Sequence, residues 1–248
     1  MNIQLFPLLE KQRELYRIPR GMERFQSYLR EMIDPGSRDL RLPLVAMNPM
    51  GKDHIPALLE QLIALGAESA AAQAVAEAAS GLTEIPGEYR VALVLSDDAM
   101  GGWTNRHTSE YSHRFESGPL LHRGWLVGVL WTSEPPALLA VREAVLLAVY
   151  RAAYIQRHGM AGNLRERMAQ EGYAMAMAGC QEPRLSAGEL AATREILKPF
   201  LETRDMRTGV ECLFGDEAAV SLGFTPRGLR ERAGLALALA DWEAGSGR

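Results

Sequence analysis

Two apolar runs restrict the fold of this chain more than any other feature. Val91-Ala92-Leu93-Val94-Leu95 and Gly124-Trp125-Leu126-Val127-Gly128-Val129-Leu130-Trp131-Thr132 are short, apolar and bounded by turn formers, so both read as strands. The first has no polar position, as in a strand covered on both faces. Between them lies the polar stretch from Asp97 to Glu116.

The flanking sequence has mainly helical spacing. Gln4 to Ile33 reads as helix, divided at Pro19-Arg20-Gly21 and ended by the turn formers Asp34-Pro35-Gly36-Ser37. Arg41 to Met47 reads as a short strand, with Pro43 placing it at an edge or a strand start. Helices are expected at Ile55–Leu65, Glu68–Ala79, Ala137–Arg157, Leu164–Ala178 and Ala187–Glu202. A short strand at Val210–Phe214 and a helix pair around Gly223 complete the chain. This order implies an α/β or α+β layer fold: a small mixed sheet surrounded by several helices, with a helical C-terminal region. The expected division is an α/β domain over residues 1–180 and a helical region over 181–248 packed on it.

A net charge of -4 gives no general attraction to nucleic acid or anionic membranes. The first residues lack the basic and apolar regions of a signal peptide. Leu138 to Ile155, the most apolar helical stretch, is interrupted by Arg142, Glu143 and Arg151 and is too polar to span a bilayer. Cys180 and Cys212 lack a CxxC spacing, which fits a reduced compartment. A soluble, cytoplasmic protein with no membrane partner is the expectation. The alanine-rich and Leu-Ala helices offer faces for a homo-oligomer.

The polar stretch holds most of the candidate chemistry. Asp97 and Asp98 follow a strand's carboxyl end, where α/β sheets usually place their sites. His107, Glu110 and His113 form H-x-x-E-x-x-H, a candidate ligand set for zinc, iron or manganese. On a helix that spacing spreads the three over about a third of the circumference, and on a strand Glu110 faces away from both histidines. An anion pocket is a second reading, with Arg106, His107, His113, Arg114, His122 and Arg123 as donors and Gly101-Gly102 allowing close backbone approach. A third is a solvated loop, anchored by Trp103 and Tyr111, whose charges pair among themselves.

Two other segments carry weaker signals. Asn48-Pro49-Met50-Gly51-Lys52-Asp53-His54 is a polar loop before a helix, where an anion could bind. Near the C-terminus, Asp216 to Arg230 has features of a helix-turn-helix, with Thr225 as N-cap and Arg227 and Arg230 near the second helix's start. Arg232 at a position that wants an apolar residue, and the acidic net charge, argue against nucleic-acid binding there.

The functional expectation is an enzyme acting on a small anionic substrate. His107 or His113 would be general acid/base or metal ligand, and Asp97 or Asp98 the orienting carboxylate. Trp103, Asn105, Arg106 and Arg114 would contact the substrate, and a divalent metal held by His107, Glu110 and His113 would be the cofactor. The alternative is a non-enzymatic regulatory or interaction protein using the C-terminal helix pair.

Overall fold

A computed structural model describes residues 1–100 and 105–246. It is an α/β protein with a small parallel sheet and a helical C-terminal region. The chain divides into two compact units, one of residues 1–109 and 117–149, the other of residues 110–116 and 150–248.

The first unit holds the sheet, with β1 (Asn2–Leu5), β2 (Glu88–Ser96) and β3 (Trp125–Trp131) parallel in the order β1-β2-β3. Ile3 aligns with Tyr89, Val91 with Leu126, and Ser96 with Trp131. Val91 to Leu95 are buried without a break, because β2 is central and covered on both faces. On one side β1 pairs only as far as Val91, which leaves the upper half of β2 short of backbone partners. The buried Gln12 of α1 (Leu9–Arg17) supplies them: its side-chain oxygen accepts from Leu95 N at 3.1 Å and its amide donates to Leu95 O at 3.5 Å. Glu68 accepts the backbone N–H groups of Leu8 and Leu9 at the start of α1, at 2.6 and 2.8 Å.

Three further helices, α2 (Met22–Met32), α3 (His54–Ala64) and α4 (Ala67–Ser80), precede β2. Two more, α5 (Arg106–Phe115) and α6 (Gly118–His122), lie between β2 and β3. The first half of α7 (Leu138–His158) packs close on β3, since a Cβ at Gly128 would lie 3.1 Å from the backbone of Ala144.

The second unit is helical. It contains α8 (Leu164–Ala178), α9 (Ala187–Leu197), α10 (Met206–Phe214), α11 (Asp216–Ser221) and α12 (Ala233–Ser246). Leu235 to Leu239 of α12 are buried, and a Cβ at Gly172 of α8 would come within 2.3 Å of Ala238 O. Tyr173 packs edge-on against Trp242 with ring centroids 5.2 Å apart.

Four local expectations are corrected. Residues 2–5 form a strand rather than the start of a helix; Asn2-Ile3-Gln4-Leu5 alternates polar and apolar, and Ile3 points into the core. Arg41 to Met47 is no strand: Leu44–Ala46 make a single 3-10 turn after Pro43, with Leu42, Leu44 and Met47 buried from an irregular backbone. Val210–Phe214 lies in α10, which starts where the Asp205 side chain accepts from Thr208 N at 2.8 Å. No helix begins at Thr225. The Asp216 carboxylate takes the N–H groups of Arg227, Gly228 and Leu229 at 2.7, 2.9 and 3.1 Å, holding that segment as a loop, and α12 starts only at Ala233.

Among the described residues no single helix is long and apolar enough to cross a membrane. The apolar pair α3 and α4 bends by 57° and buries Leu59, Leu62, Ala71 and Ala74 inside its unit.

Candidate functional site

The carboxyl ends of β2 and β3 gather a polar cluster within the first unit. Parallel neighbours end at the same sheet edge, so Ser96-Asp97-Asp98 and Thr132-Ser133-Glu134 emerge together. The loop before α3 reaches the same edge. His54 Nε2 lies 2.9 Å from Asp97 Oδ1, and Asn48 Nδ2 is 3.5 Å from Asp97 Oδ2. Asp97 is fully buried. Its Oδ1 also accepts from Met100 N at 3.2 Å and lies 3.1 Å from the Thr132 hydroxyl. The His54 side chain keeps 19% of its exposure. In the neutral tautomer that donates from Nε2 to the carboxylate, Nδ1 is the ring's acceptor. That Nδ1 is buried and has no hydrogen-bond partner among the described residues.

A second knot adjoins the first. Asp98 accepts from Ser133 N at 2.9 Å, from the Ser133 hydroxyl at 2.7 Å and from Arg106 Nη1 at 2.9 Å. Burial pushes the Asp98 carboxyl up, but Ser133 and Arg106 together hold it below the ordinary aspartate range. Arg106 Nη2 donates to Glu134 at 2.6 Å, and the guanidinium lies over the Trp131 ring, 4.4 Å from its centroid. Behind His54, the Tyr16 hydroxyl donates to Asn48 O at 2.7 Å, and burial followed by the charge of Asp97 drives its phenol well above the usual range.

The residues expected from the sequence separate into groups. Asp97, Asp98 and Arg106 meet at the sheet edge. Asn105 caps α5, its side-chain oxygen accepting from His107 N and Thr108 N at 3.0 and 3.1 Å. Trp103, expected to contact substrate, and Gly101-Gly102 lie outside the described residues. His107 sits in the first turn of α5, partly exposed.

Glu110, His113 and Arg114, by contrast, belong to the second unit. There Arg114 Nε donates to Glu110 at 3.0 Å, and the Arg114 guanidinium also pairs with Glu171. Arg151 reaches Glu171 with two bonds of 2.6 and 3.0 Å, and Arg232 grips Glu110 at 3.0 and 2.7 Å. Burial alone would disfavour the Arg114 charge, yet Glu171 and Glu110 bind its proton more firmly than in a free guanidinium. Burial, then Arg151, push the His113 imidazole down to about 4 against the pull of Glu110. The expected ligands His107, Glu110 and His113 therefore stand at helical spacings of three on α5, with Glu110 engaged by two arginines. Among the described residues no group of three or more His, Cys, Asp and Glu side chains is placed to hold a metal ion.

At the C-terminus, Arg227 is bonded to the buried Glu211 and stacked 3.9 Å from the Phe200 ring centroid, while Arg230 pairs with Glu189.

Sequence reasoning missed His54, Asn48, Thr132 and Ser133 as site residues. Thr132-Ser133 stands after β3 as Asp97-Asp98 stands after β2, and that parallel was a readable signal. From the sequence the Asn48–His54 loop reads only as a weak anion site. Compared with known protein families, with curated proteins and with solved structures, the chain has no match.

Proposed function

We propose that the first unit is an enzyme that performs proton transfer on a small substrate at the sheet edge. The observation that carries this reading is the pairing of buried Asp97 with partly exposed His54, whose Nδ1 is left as an unpartnered acceptor. A buried carboxylate fixes the imidazole tautomer and stabilises the imidazolium that forms when Nδ1 takes a proton. Nδ1 is itself buried, so a substrate O–H or N–H would complete the hydrogen bond it lacks through movement of the partly exposed His54 side chain. Thr132 and Asn48 would hold Asp97 in place, and Asp98 with Ser133 would hold Arg106. An anionic substrate at this edge would meet the positive charge of the Arg106 guanidinium. On this reading the general base is His54, ahead of His107 and His113.

The test is a screen for hydrolytic and isomerising turnover of small hydroxy and carboxylic acids, run in parallel on wild type and His54→Gln. Activity found in wild type is expected to fall at least ~100-fold in the variant, in line with loss of a general base. The unfolding midpoint should stay close to wild type. Turnover that survives His54→Gln would overturn the assignment.

A further inference from the structure

We infer that β3 is the contact through which two copies of this chain assemble, the strands pairing antiparallel about a two-fold axis at Gly128. β3 stands at one end of the sheet order, with β2 on its inner side. The ladder fixes which of its groups face β2: Gly124 O accepts from Arg90 N at 2.7 Å, and Thr132 N donates to Ser96 O at 3.0 Å. Even-numbered residues therefore turn their N–H and C=O groups towards β2, and Trp125, Val127, Val129 and Trp131 turn theirs away. The N–H and C=O groups of Val127 and Val129 have no hydrogen-bond partner among the described residues. Exposure follows the same alternation. Leu126, Gly128 and Leu130 are buried, whereas Val127 and Val129 keep partial exposure.

An unpaired edge by itself does not say what covers it. Native sheets usually blunt such an edge with a charge, a proline or a bulge. This strand has none of these: Trp125-Leu126-Val127-Gly128-Val129-Leu130-Trp131 is apolar throughout and pairs with β2 without a break. The same segment is a palindrome, and that identifies the occupant. In a two-fold contact, residue i opposes j and j opposes i. With the axis at Gly128, Val127 lies opposite the partner's Val129, Leu126 opposite the partner's Leu130 and Trp125 opposite the partner's Trp131. Every cross-strand pair then joins identical apolar side chains. The hydrogen-bond parity agrees with this register. Outward-facing residues meet outward-facing residues, so Val127 and the partner's Val129 exchange both N–H···O bonds. The axis falls on a non-hydrogen-bonded pair, where Cα atoms approach to about 4.5 Å, and glycine occupies it. A slip by one residue would set Val127 against the partner's Gly128, whose backbone groups face its own β2. The contact is independent of the proton-transfer role of His54, because antiparallel pairing leaves the two His54–Asp97 clusters at opposite ends of the joined sheet.

The experiment is analytical ultracentrifugation of the full chain across a range of concentrations, with amide hydrogen exchange followed by NMR at the two extremes. Wild type is expected to double in mass at high concentration. There the Val127 and Val129 amides should exchange at least ~10-fold more slowly than in the dilute protein. Val129→Pro removes an outward N–H and leaves the ladder to β2 whole, so it should keep the wild-type far-UV spectrum and sediment as a monomer at every concentration. Should the proline unfold the chain, the exchange measurement on wild type decides by itself. A wild type that stays monomeric would overturn the inference. So would a dimer whose Val127 and Val129 amides exchange at the monomer's rate, or a folded Val129→Pro that still dimerises.

Discussion

At the scale of single residues, Asp97 organises the sheet edge. Fully buried, it is surrounded by His54, Thr132, Asn48 and the backbone N–H of Met100. Taking away the carboxylate strands these groups inside the protein, and Asp97→Ala should lower unfolding stability by about 3 kcal/mol. Asp97→Asn keeps the shape and one acceptor oxygen and should cost roughly half as much. Urea titrations of the two variants check this. An alanine variant as stable as wild type would mean that the cluster holds no net interaction. The carboxylate was readable because position alone marks it, directly after an unbroken apolar strand. Its partner was not, since His54 is 43 residues away and is delivered by a loop whose path the local pattern does not encode. Arg106 was readable as a cation, but not Glu134 as its neighbour. Arg114 misled for a related reason: in sequence it is one more charge in a polar stretch, whereas a helical backbone turns Glu110, Tyr111, Arg114 and Phe115 onto one buried face.

At the scale of elements, the longest periodic segments were the most legible. Leu164–Ala178 matches α8 at both ends, because Asn163 caps the start and Gly179 closes it in the left-handed conformation at φ 74°. Short elements escaped the pattern. Four residues suffice for β1 only because β2 offers it a partner, and α10 overrides the β-leaning Val210-Glu211-Cys212-Leu213-Phe214 through its Asp205 cap. Close helix contacts were equally hidden, and glycine marks them. A Cβ at Gly172 would meet Ala238 O at 2.3 Å, so Gly172→Ala should force α8 and α12 apart and cost about 1–3 kcal/mol. Gly188, inside α9, has open space at the same atom, and there the alanine should instead stabilise by about 0.5–1 kcal/mol through helix propensity. Opposite shifts of the thermal midpoint in the two variants are the expected result. Shifts in the same direction would show that packing does not distinguish the sites.

At the scale of the molecule, a net charge of -4 says little about where charge resides. The second unit keeps much of its charge inside: Glu110, Arg114, Arg151 and Glu171 are all buried, and Arg232 joins them through Glu110. None of this could be read from composition, since Arg151 and Glu171 meet only when α7 and α8 pack. Three guanidinium groups face two carboxylates here, so a proton arriving on the nearby His113 adds to an excess of positive charge. Burial and Arg151 lower that imidazole from 6.5 to about 4. Burial would raise the Glu171 carboxyl, but Arg151 and Arg114 outweigh it and bring it from 4.5 to about 2. In both cases the unfolded chain takes up the proton at a higher pH than the folded one, so acid favours unfolding. Stability should fall through His113 as pH drops from 6.5 towards 4, and further through Glu171 from 4.5 towards 2. Urea midpoints measured between about pH 7.5 and 4.5 should therefore decline, and His113→Gln should flatten that decline, because glutamine has no proton to gain. A variant that loses stability with acid as steeply as wild type would place the pH dependence elsewhere in the chain. The Glu171 contribution is separable, since it begins only once the histidine's is largely spent. Glu171→Gln should weaken the protein at neutral pH by about 3–5 kcal/mol, by leaving Arg114 and Arg151 short of their shared carboxylate, and should blunt the loss at the acid end.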